Sequence, residues 1–326
     1  MYNVYKLGFI RAGMTEIDTE FYHGKNLLLL GGFGFIGENL IRRFSSLNAK
    51  IKVVTRNTGK RKTGERSVET IYADPVINFQ KIEEHLGDSD VIVNLINGDK
   101  NDFTKQNELT DLNFKILNFC VSKKLDPVLV HMGSRLQYSP SCPSPIIESD
   151  KMEPTTIYGL EKMLSEDYYR FFSRKYGLKT LCLRVANLYG PTENLPLKKG
   201  LVHELVYSAL NGNMQINEDV ERHKDLIYID DFADFLLLGI QNENCYGRAL
   251  NVGSGEKMKV IEIASEIKDI FGYNGEIKIS GKAEDDFSFY MGVQKAKNLT
   301  GWRPKIQLRE GLIKMKEGLE ELEVKK

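Results

Sequence analysis

The segment from Leu27 to Gly37, LLLLGGFGFIG, constrains the fold of this chain more than any other part of the sequence. A short apolar run ends in a cluster of glycines, and an amphipathic stretch follows it. This order predicts a strand, a tight turn and a helix. A glycine-rich turn in that setting binds the pyrophosphate of a dinucleotide.

Each glycine of the G-x-x-G-x-x-G pattern has a separate expected task, and Gly32 is an additional member. We expect Gly31 to permit the turn, Gly34 to let the backbone approach the pyrophosphate, and Gly37 to bring the helix close to the strand. Phe35 and Ile36 then lie at the positive end of the helix dipole, beside the phosphates. We assign these five residues to the cofactor site.

Strands alternate with helices over the next 160 residues, which predicts an α/β fold with a Rossmann-type, doubly wound parallel sheet. The candidate strands are Asn26–Leu30, Lys52–Thr55, Thr70–Tyr72, Val91–Leu95, Val128–Met132 and Thr180–Arg184. The candidate helices between them are Ile36–Leu47, Phe79–Leu86, Leu112–Lys123 and Tyr158–Tyr176.

The pattern changes after about residue 187, where prolines and glycines interrupt it. We predict an N-terminal lead-in over 1–24, a dinucleotide-binding domain over 25–187 and a smaller, mainly substrate-binding region over 188–326. Parts of that last region are expected to return to the sheet. Its candidate elements are a strand over Leu226–Ile229 and helices over Leu201–Leu210, Asp230–Ile240 and Val260–Phe271.

Charge and cysteine content exclude several classes of function. Lys and Arg number 45, as do Asp and Glu, so no overall field attracts nucleic acid or an anionic membrane. The cysteines are widely spaced, which predicts free thiols and neither a disulfide framework nor a metal site. The N-terminus lacks a signal-peptide pattern and the apolar runs are too short to span a bilayer, so we expect a cytoplasmic protein.

The residue after the second candidate strand bears on cofactor choice. NAD-binding turns are followed by an acid that binds the ribose, whereas this chain has Arg56, which suits the 2′-phosphate of NADP. Lys60, Arg61 and Lys62 add positive charge, although a solvated basic loop is the alternative. NADPH is therefore favoured and NAD is the alternative. We also assign Asp74 and Leu95, near the ends of the next two strands, to the cofactor site.

Tyr158 and Lys162 stand four residues apart, so a helix would place them on one face. A free phenol, with a pKa of about 10, is a poor acid–base catalyst near neutrality, and a neighbouring ammonium favours its ionised form. Tyr-x-x-x-Lys also occurs by chance on helix surfaces. Ser134 follows another candidate strand, where its hydroxyl could bind a reacting oxygen or simply end the strand in a turn.

Several further segments accompany these residues and make the chain resemble the extended short-chain dehydrogenase/reductase family, in its nucleotide-sugar epimerase, dehydratase and reductase branch. They are GSRLQY at 133–138, EPTTIYGLEK at 153–162, LRVANLYGP at 183–191, KDLIYIDDFAD at 224–234, LNVGSGE at 250–256 and GWRPK at 301–305. The resemblance covers roughly residues 25–315.

The resemblance implies a set of roles. Ser134, Tyr158 and Lys162 match the catalytic triad, with the last two also contacting the cofactor. Asn187 matches a residue near the sugar diphosphate, and Lys224 stands where the branch usually has a diphosphate-binding arginine. The implied substrate is a nucleoside-diphosphate sugar. Members of the family often form homodimers through the helices that here span about 102–124 and 158–176.

Departures from the family pattern narrow the expected reaction. Dehydratases have Asp and Glu just after the catalytic hydroxyl, where this chain has Arg135 and Leu136. Fucose synthases use a Cys and a later His, which align with Leu136 and Gly200. Without an acid or base at these positions, hydride transfer is the only chemistry that the matching residues support. Because Arg56 stands where NAD-dependent epimerases carry an acid, we predict an NADPH-dependent reductase of a 4-keto, 6-deoxy nucleotide sugar. A nucleotide-sugar 4-epimerase with bound NAD is the alternative, and a Rossmann-type redox sensor without turnover is a third.

Overall fold

The structure, a computed structural model, describes residues 16–56, 68–192, 200–280 and 287–324. Within those ranges the strands are β1 (Asn26–Leu30), β2 (Lys50–Thr55), β3 (Val68–Tyr72), β4 (Val91–Asn94), β5 (Val128–Ser134), β6 (Thr180–Val185), β7 (Asn187–Tyr189), β8 (Gln215–Ile216), β9 (His223–Lys224), β10 (Leu226–Tyr228), β11 (Arg248–Val252), β12 (Met258–Lys259) and β13 (Lys278–Ile279).

Helices alternate with these strands. They are α1 (Thr19–Tyr22), α2 (Phe35–Ser45), α3 (Gln80–Gly87), α4 (Phe103–Ser122), α5 (Ile157–Tyr176), α6 (Leu201–Leu210), α7 (Ile229–Ile240), α8 (Val260–Phe271), α9 (Gln294–Thr300) and α10 (Leu308–Val324). Short 3-10 turns cover Arg135–Gln137 and Glu243–Cys245. In the described ranges, no helix is both long enough and apolar enough to cross a membrane.

Seven of the strands form one parallel sheet in the order β3-β2-β1-β4-β5-β6-β11. The chain reverses its direction of travel across the sheet between β1 and β4, which is where ligands bind in sheets of this type. The predicted doubly wound, Rossmann-type α/β fold is confirmed.

The four consecutive leucines of β1 explain why this strand lies at the centre of the sheet. Leu27 and Leu29 pack into one hydrophobic cluster and Leu28 and Leu30 into another, one on each face. All four are almost completely buried. A strand covered on both faces needs apolar residues at every position, which is the pattern of a central parallel strand.

Segments before β1 and after β6 also contribute to this core. β11 joins the edge of the sheet beside β6, although the sequence pattern predicted no strand there. Tyr22, in the predicted lead-in, is fully buried and donates a hydrogen bond of 2.5 Å to the Leu237 carbonyl in α7. Residues 1–15 lie outside the described ranges.

The predicted start of the helix that corresponds to α4 was wrong. α4 begins at Phe103, nine residues before the predicted Leu112. The Asp102 side chain caps it by accepting a hydrogen bond of 3.1 Å from the Lys105 backbone N–H. The first turns of the helix are mostly exposed, so they lack the apolar periodicity on which the prediction depended.

Candidate active site

The glycine turn lies at the edge of a cleft of about 880 Å³ beside the carboxyl ends of β1, β2 and β4. Five of the predicted cofactor residues line this cleft: Gly31, Gly34, Arg56, Asp74 and Leu95. Gly34 precedes α2 and is exposed, and a Cβ built there would meet nothing nearer than a carbonyl oxygen at 3.9 Å. The turn therefore leaves space for a phosphate group against its backbone.

The other glycines of the pattern serve the packing of the turn. Gly31 has a φ of +77°, in the region that favours glycine. Gly37 lies so close to the Gly32 carbonyl that no Cβ fits between them. Phe35 and Ile36 form the first positions of α2, where backbone N–H groups point out of the helix end. The turn and the helix start thus form one rigid unit.

Arg56 is the first residue after β2, and its side chain is 64% exposed. Its Nη1 lies 3.6 Å from Oδ2 of Asp74, which comes just after β3. The two predicted cofactor residues therefore face one another across the end of the cleft. Lys60, Arg61 and Lys62 lie outside the described residues.

Ser134 ends β5, two residues beyond the predicted end of that strand, and the 3-10 turn follows it directly. Its Oγ accepts a hydrogen bond of 3.3 Å from the Leu136 N–H, and its own N–H donates to Oε1 of Gln137 at 2.7 Å. These reciprocal bonds fix the backbone of the turn.

A buried ion pair supports the serine turn from below. Gln137 donates from Nε2 to Glu166 at 2.8 Å, and the Glu166 carboxylate accepts two bonds from Arg184 at 2.8 and 2.6 Å. Burial alone would raise the pKa of Glu166, but the Arg184 guanidinium lowers it below its ordinary value. Glu166 is therefore ionised and holds the turn to α5 and β6.

Tyr158 and Lys162 occupy the first two turns of α5, which begins after Thr156 caps it by accepting a bond of 3.0 Å from the Gly159 N–H. Lys162 Nζ lies 5.4 Å from the centroid of the Tyr158 ring, and Lys100 Nζ lies 4.8 Å from it. Tyr158 is half-buried, whereas the Lys162 side chain is only 8% exposed. The tyrosine is reachable while the lysine supports it from inside.

The serine turn and the start of α5 pack directly against one another. Gly159, next to Tyr158, lies against the carbonyl oxygen of Leu136 with no room for a Cβ. Leu136 is two residues from Ser134. The fold therefore packs the turn that follows Ser134 against the start of α5, which carries Tyr158 and Lys162.

The predicted substrate residues lie beside the same turn. Nε of Arg135 donates to Asn187 Oδ1 at 3.4 Å, and Asn187 Nδ2 donates to the Asp225 carbonyl at 3.1 Å. Lys224, adjacent to Asp225, is buried and its Nζ lies 2.6 Å from Oε2 of Glu218. Ser134, Asn187 and Lys224 are thus connected through short contacts.

Sequence reasoning missed two buried acids of the site, Asp225 and Glu161. Asp225 accepts hydrogen bonds from Ser254, Gly255 and Met291, which ties the segment carrying Lys224 to the Gly-Ser-Gly stretch at 253–255. Burial raises the pKa of Asp225, and these bonds act against that effect. Glu161, next to Lys162, is 2% exposed. The local sequence gives no signal of their burial, because Asp225 stands among other acids in the segment 224–234 and Glu161 stands next to a lysine on a helix.

A Rossmann-type sheet with a cleft at its glycine turn and a serine–tyrosine–lysine set beside it defines a nicotinamide-dependent enzyme of the short-chain dehydrogenase/reductase type. The family model described as "NAD dependent epimerase/dehydratase family" matches residues 27–253. The chain belongs to that family, and the resemblance found in its sequence is confirmed.

Known relatives cover most of the chain. A protein of Methanocaldococcus jannaschii named putative UDP-glucose 4-epimerase is 26% identical over 298 residues, spanning 88% of this chain and 95% of that one. The dTDP-4-dehydro-6-deoxyglucose reductase of Escherichia coli is 26% identical over 179 residues, which span 53% of this chain and 55% of the reductase.

Solved structures share the fold. The UDP-glucose 4-epimerase of Thermotoga maritima, solved with UDP-glucose, superposes with a TM-score of 0.83 at 23% identity and covers 91% of this chain and 99% of its own. At this level of identity the likeness concerns the fold.

Proposed function

We propose that this protein is an NADPH-dependent reductase that acts on the 4-keto group of a nucleoside-diphosphate sugar, in its 6-deoxy form. The observation that carries the proposal is the composition of the serine turn. Arg135 and Leu136 follow Ser134, so neither position offers a carboxyl group for removing a proton from carbon. The Ser134, Tyr158 and Lys162 set is sufficient for interconversion of a carbonyl and an alcohol.

The residues present fit a dinucleotide, because the turn leaves the backbone beside Gly34 open to the cleft. When bound, the nicotinamide cofactor supplies the hydride. Tyr158 gives its phenolic proton to the carbonyl oxygen, and Ser134 donates a hydrogen bond to the same oxygen. Lys162, behind the ring, stabilises the phenolate that this leaves, and would also hold the nicotinamide ribose.

Asn187 and Lys224 are the proposed contacts to the sugar diphosphate. An amide and an ammonium in one partly buried region suit an anionic, hydrogen-bonding ligand. The E. coli relative is named for reduction of a dTDP-4-dehydro-6-deoxy sugar, and its matching segment spans 55% of that protein. That named activity supports the proposed substrate class.

Arg56 supports NADPH, because a guanidinium at the end of β2 can bind a 2′-phosphate. A second candidate function, a nucleotide-sugar 4-epimerase with retained NAD, is favoured by the 3.6 Å pairing of Arg56 with Asp74. That pairing already provides the guanidinium with a partner. The relative from M. jannaschii carries an epimerase name, which supports the same alternative.

We further propose that two copies of this chain associate through α4 and α5. We also propose that the protein acts in the cytoplasm. Apolar side chains remain exposed on these helices: Phe114, Leu164, Tyr168 and Phe171, between 37% and 47%. Phe114 packs edge-on against Tyr168 with ring centroids 5.4 Å apart, so the exposed surface is continuous across both helices. A continuous apolar surface of this kind is typical of an interface.

The decisive experiment is incubation of the purified protein with NADPH or NADH and a panel of UDP-, dTDP-, GDP- and CDP-linked 4-keto-6-deoxy sugars. Stoichiometric oxidation of NADPH with formation of the reduced sugar is the expected result. If the protein carries NAD after purification and equilibrates 4-epimers without consuming NADPH, the epimerase is the correct function.

A further inference from the structure

A buried acid adjoins the catalytic lysine. Oε2 of Glu161 lies 3.1 Å from Nζ of Lys162, with side chains only 1% and 8% exposed. Two opposite charges are thus removed together from water, and each would be costly to bury alone. The first turns of α5 therefore carry a buried ion pair whose net charge is zero.

The carboxylate of Glu161 is the end of a chain of hydrogen bonds. Its Oε1 accepts from the Ser165 hydroxyl at 2.9 Å. Ser165 Oγ accepts from the Asn113 amide at 3.0 Å, and Asn113 Oδ1 accepts from the Asn94 amide at 3.0 Å. Each hydrogen bond of this row is donated in the direction of Glu161. That direction suits an ionised carboxylate, because such a group only accepts hydrogen bonds.

The other end of the chain reaches the cofactor cleft. Asn94 is the last residue of β4, and its Oδ1 accepts a bond of 3.1 Å from the Ile96 N–H. Leu95 and Ile96 line the cleft. Three elements, β4, α4 and α5, are therefore connected through side chains that end at Lys162.

We propose that Glu161 is a positioning residue for the hydride-transfer reaction, which holds the Lys162 ammonium charged and in place and ties it to the cleft wall through Ser165, Asn113 and Asn94. The role in catalysis rests on the proposed function, because Lys162 acts there beside Tyr158. The contact between Glu161 and Lys162 does not depend on which reaction the protein catalyses.

The charges around Lys162 support this assignment. Burial lowers the pKa of Lys162, while the Glu161 carboxylate and Tyr158 raise it, and the balance lies above its ordinary value. α4 contributes the neutral Asn113. The titratable groups that interact with the pair are Tyr158 and Tyr169 of α5 and His131 of β5. Beyond them, Glu166 lies near His131 and pairs with Arg184 of β6, and Lys100 lies over the Tyr158 ring.

His131 does not replace Glu161 as a counter-ion. Its Nε2 lies 3.1 Å from the Lys162 carbonyl, and burial, together with Lys162, lowers its pKa to about 4. It is neutral at physiological pH. Glu166 is engaged by Arg184. Among the described groups, Glu161 is the carboxylate in contact with the Lys162 ammonium.

The test is a pH titration of the Lys162 ammonium by NMR in protein labelled at the lysine side-chain nitrogen, assigned by Lys162→Met. In Glu161→Gln the ammonium should lose its proton at lower pH than in the parent. Glu161→Asp keeps the charge but withdraws it, so its midpoint should be intermediate and the test stays decisive if Glu161→Gln folds poorly. Affinity for NADPH should fall by more than about tenfold in Glu161→Gln at neutral pH, because a lost charge-assisted bond costs more than one factor of ten.

Glu310→Gln, an exposed glutamate of α10, is the matched control, since it removes the same charge at a distance from the pair and should leave the Lys162 midpoint unchanged. Ser165→Ala removes the hydroxyl that donates to Glu161 and keeps both charges, so it should displace the midpoint in the same direction as Glu161→Gln but less. An unchanged midpoint in Glu161→Gln, or an equal displacement in Glu310→Gln, would overturn the proposal. Displacement in Glu161→Gln in a protein that reduces no nucleotide sugar would instead leave the pairing intact and reject the proposed function.

Discussion

Gly159 lies directly against the carbonyl oxygen of Leu136, without room for a side chain between them. This contact sets the distance between α5, which carries Tyr158, and the turn that follows Ser134. Because an alanine at this position would have to push the two apart, glycine is required there by packing and not by backbone conformation. The relationship makes the spacing of the hydroxyl and the phenol a property of the fold.

Replacement of Tyr158 by Phe should lower turnover by at least about 100-fold, the smaller end of what a positioned proton donor contributes. The ring and its packing remain, so affinity for the cofactor should change little. Steady-state kinetics and calorimetric titration with NADPH measure the two effects. Tyr168→Phe, on the same helix, is the control, and activity of Tyr158→Phe within tenfold of the parent would contradict the assigned role.

Two glycines of one turn should respond differently to substitution. Gly34→Val should abolish affinity for both NADPH and NADH without unfolding the protein, since its side chain has room in the protein but enters the phosphate site. Gly37→Ala should lower the free energy of unfolding by roughly 1–3 kcal/mol, because the added methyl group collides with the Gly32 carbonyl. Calorimetry and denaturant unfolding separate the two, and unchanged affinity in Gly34→Val argues against the phosphate site.

Arg56→Asp should shift cofactor preference from NADPH to NADH by well over tenfold. A lost charge-assisted bond costs about 1.5–3 kcal/mol and the new carboxylate repels the 2′-phosphate, while 1.4 kcal/mol is already a factor of ten. Titration of parent and variant with both reduced cofactors measures the shift. NAD retained by the purified parent, together with no effect of the substitution, would favour the epimerase.

Phe171→Asp should convert a dimer into monomers, because it would bury an unpaired charge in the proposed interface on α4 and α5. Sedimentation velocity at several protein concentrations measures the state of association. Ile313→Asp, which alters an exposed apolar residue on α10, serves as the control and should leave the dimer intact. A parent protein that sediments as a monomer at all concentrations would reject the interface.

Two buried histidines should make the protein less stable in mild acid. Burial lowers the pKa of His131 and of His203 to about 4, whereas an unfolded histidine titrates near 6.5. Between these values the unfolded chain binds more protons, so the free energy of unfolding falls as pH decreases, by up to about 1.4 kcal/mol per pH unit for each histidine. His203→Asn should reduce this slope in denaturant unfolding between pH 5 and 7, and the exposed His23→Gln should not.

The central sheet could be predicted from the sequence because its strands are buried on both faces. β1 and β4 are continuous apolar runs, and the glycines after β1 mark the turn into α2. The peripheral strands could not be predicted in this way. β8, β9, β12 and β13 are two residues long and form only by pairing with segments 34 to 63 positions away, so they have no local pattern.

Within the site, motif positions could be predicted but their partners could not. Tyr158 and Lys162 are recognisable from their spacing, and Ser134 from its place after β5. The pairing of Lys224 with Glu218 depends on how residues 215–224 fold back, and nothing in the local sequence indicates it. Glu161 looks like an ordinary surface residue of an amphipathic helix until α4 covers it.

The ion pairs of the cofactor cleft and the serine turn differ in one further respect, their sensitivity to dissolved ions. Arg184 and Glu166 are almost fully buried, whereas the Arg56 side chain is 64% exposed. Salt screens exposed charges over about 8 Å at physiological ionic strength and affects buried pairs far less. Raising the salt concentration should therefore weaken discrimination between the two cofactors while the geometry around Ser134 stays the same.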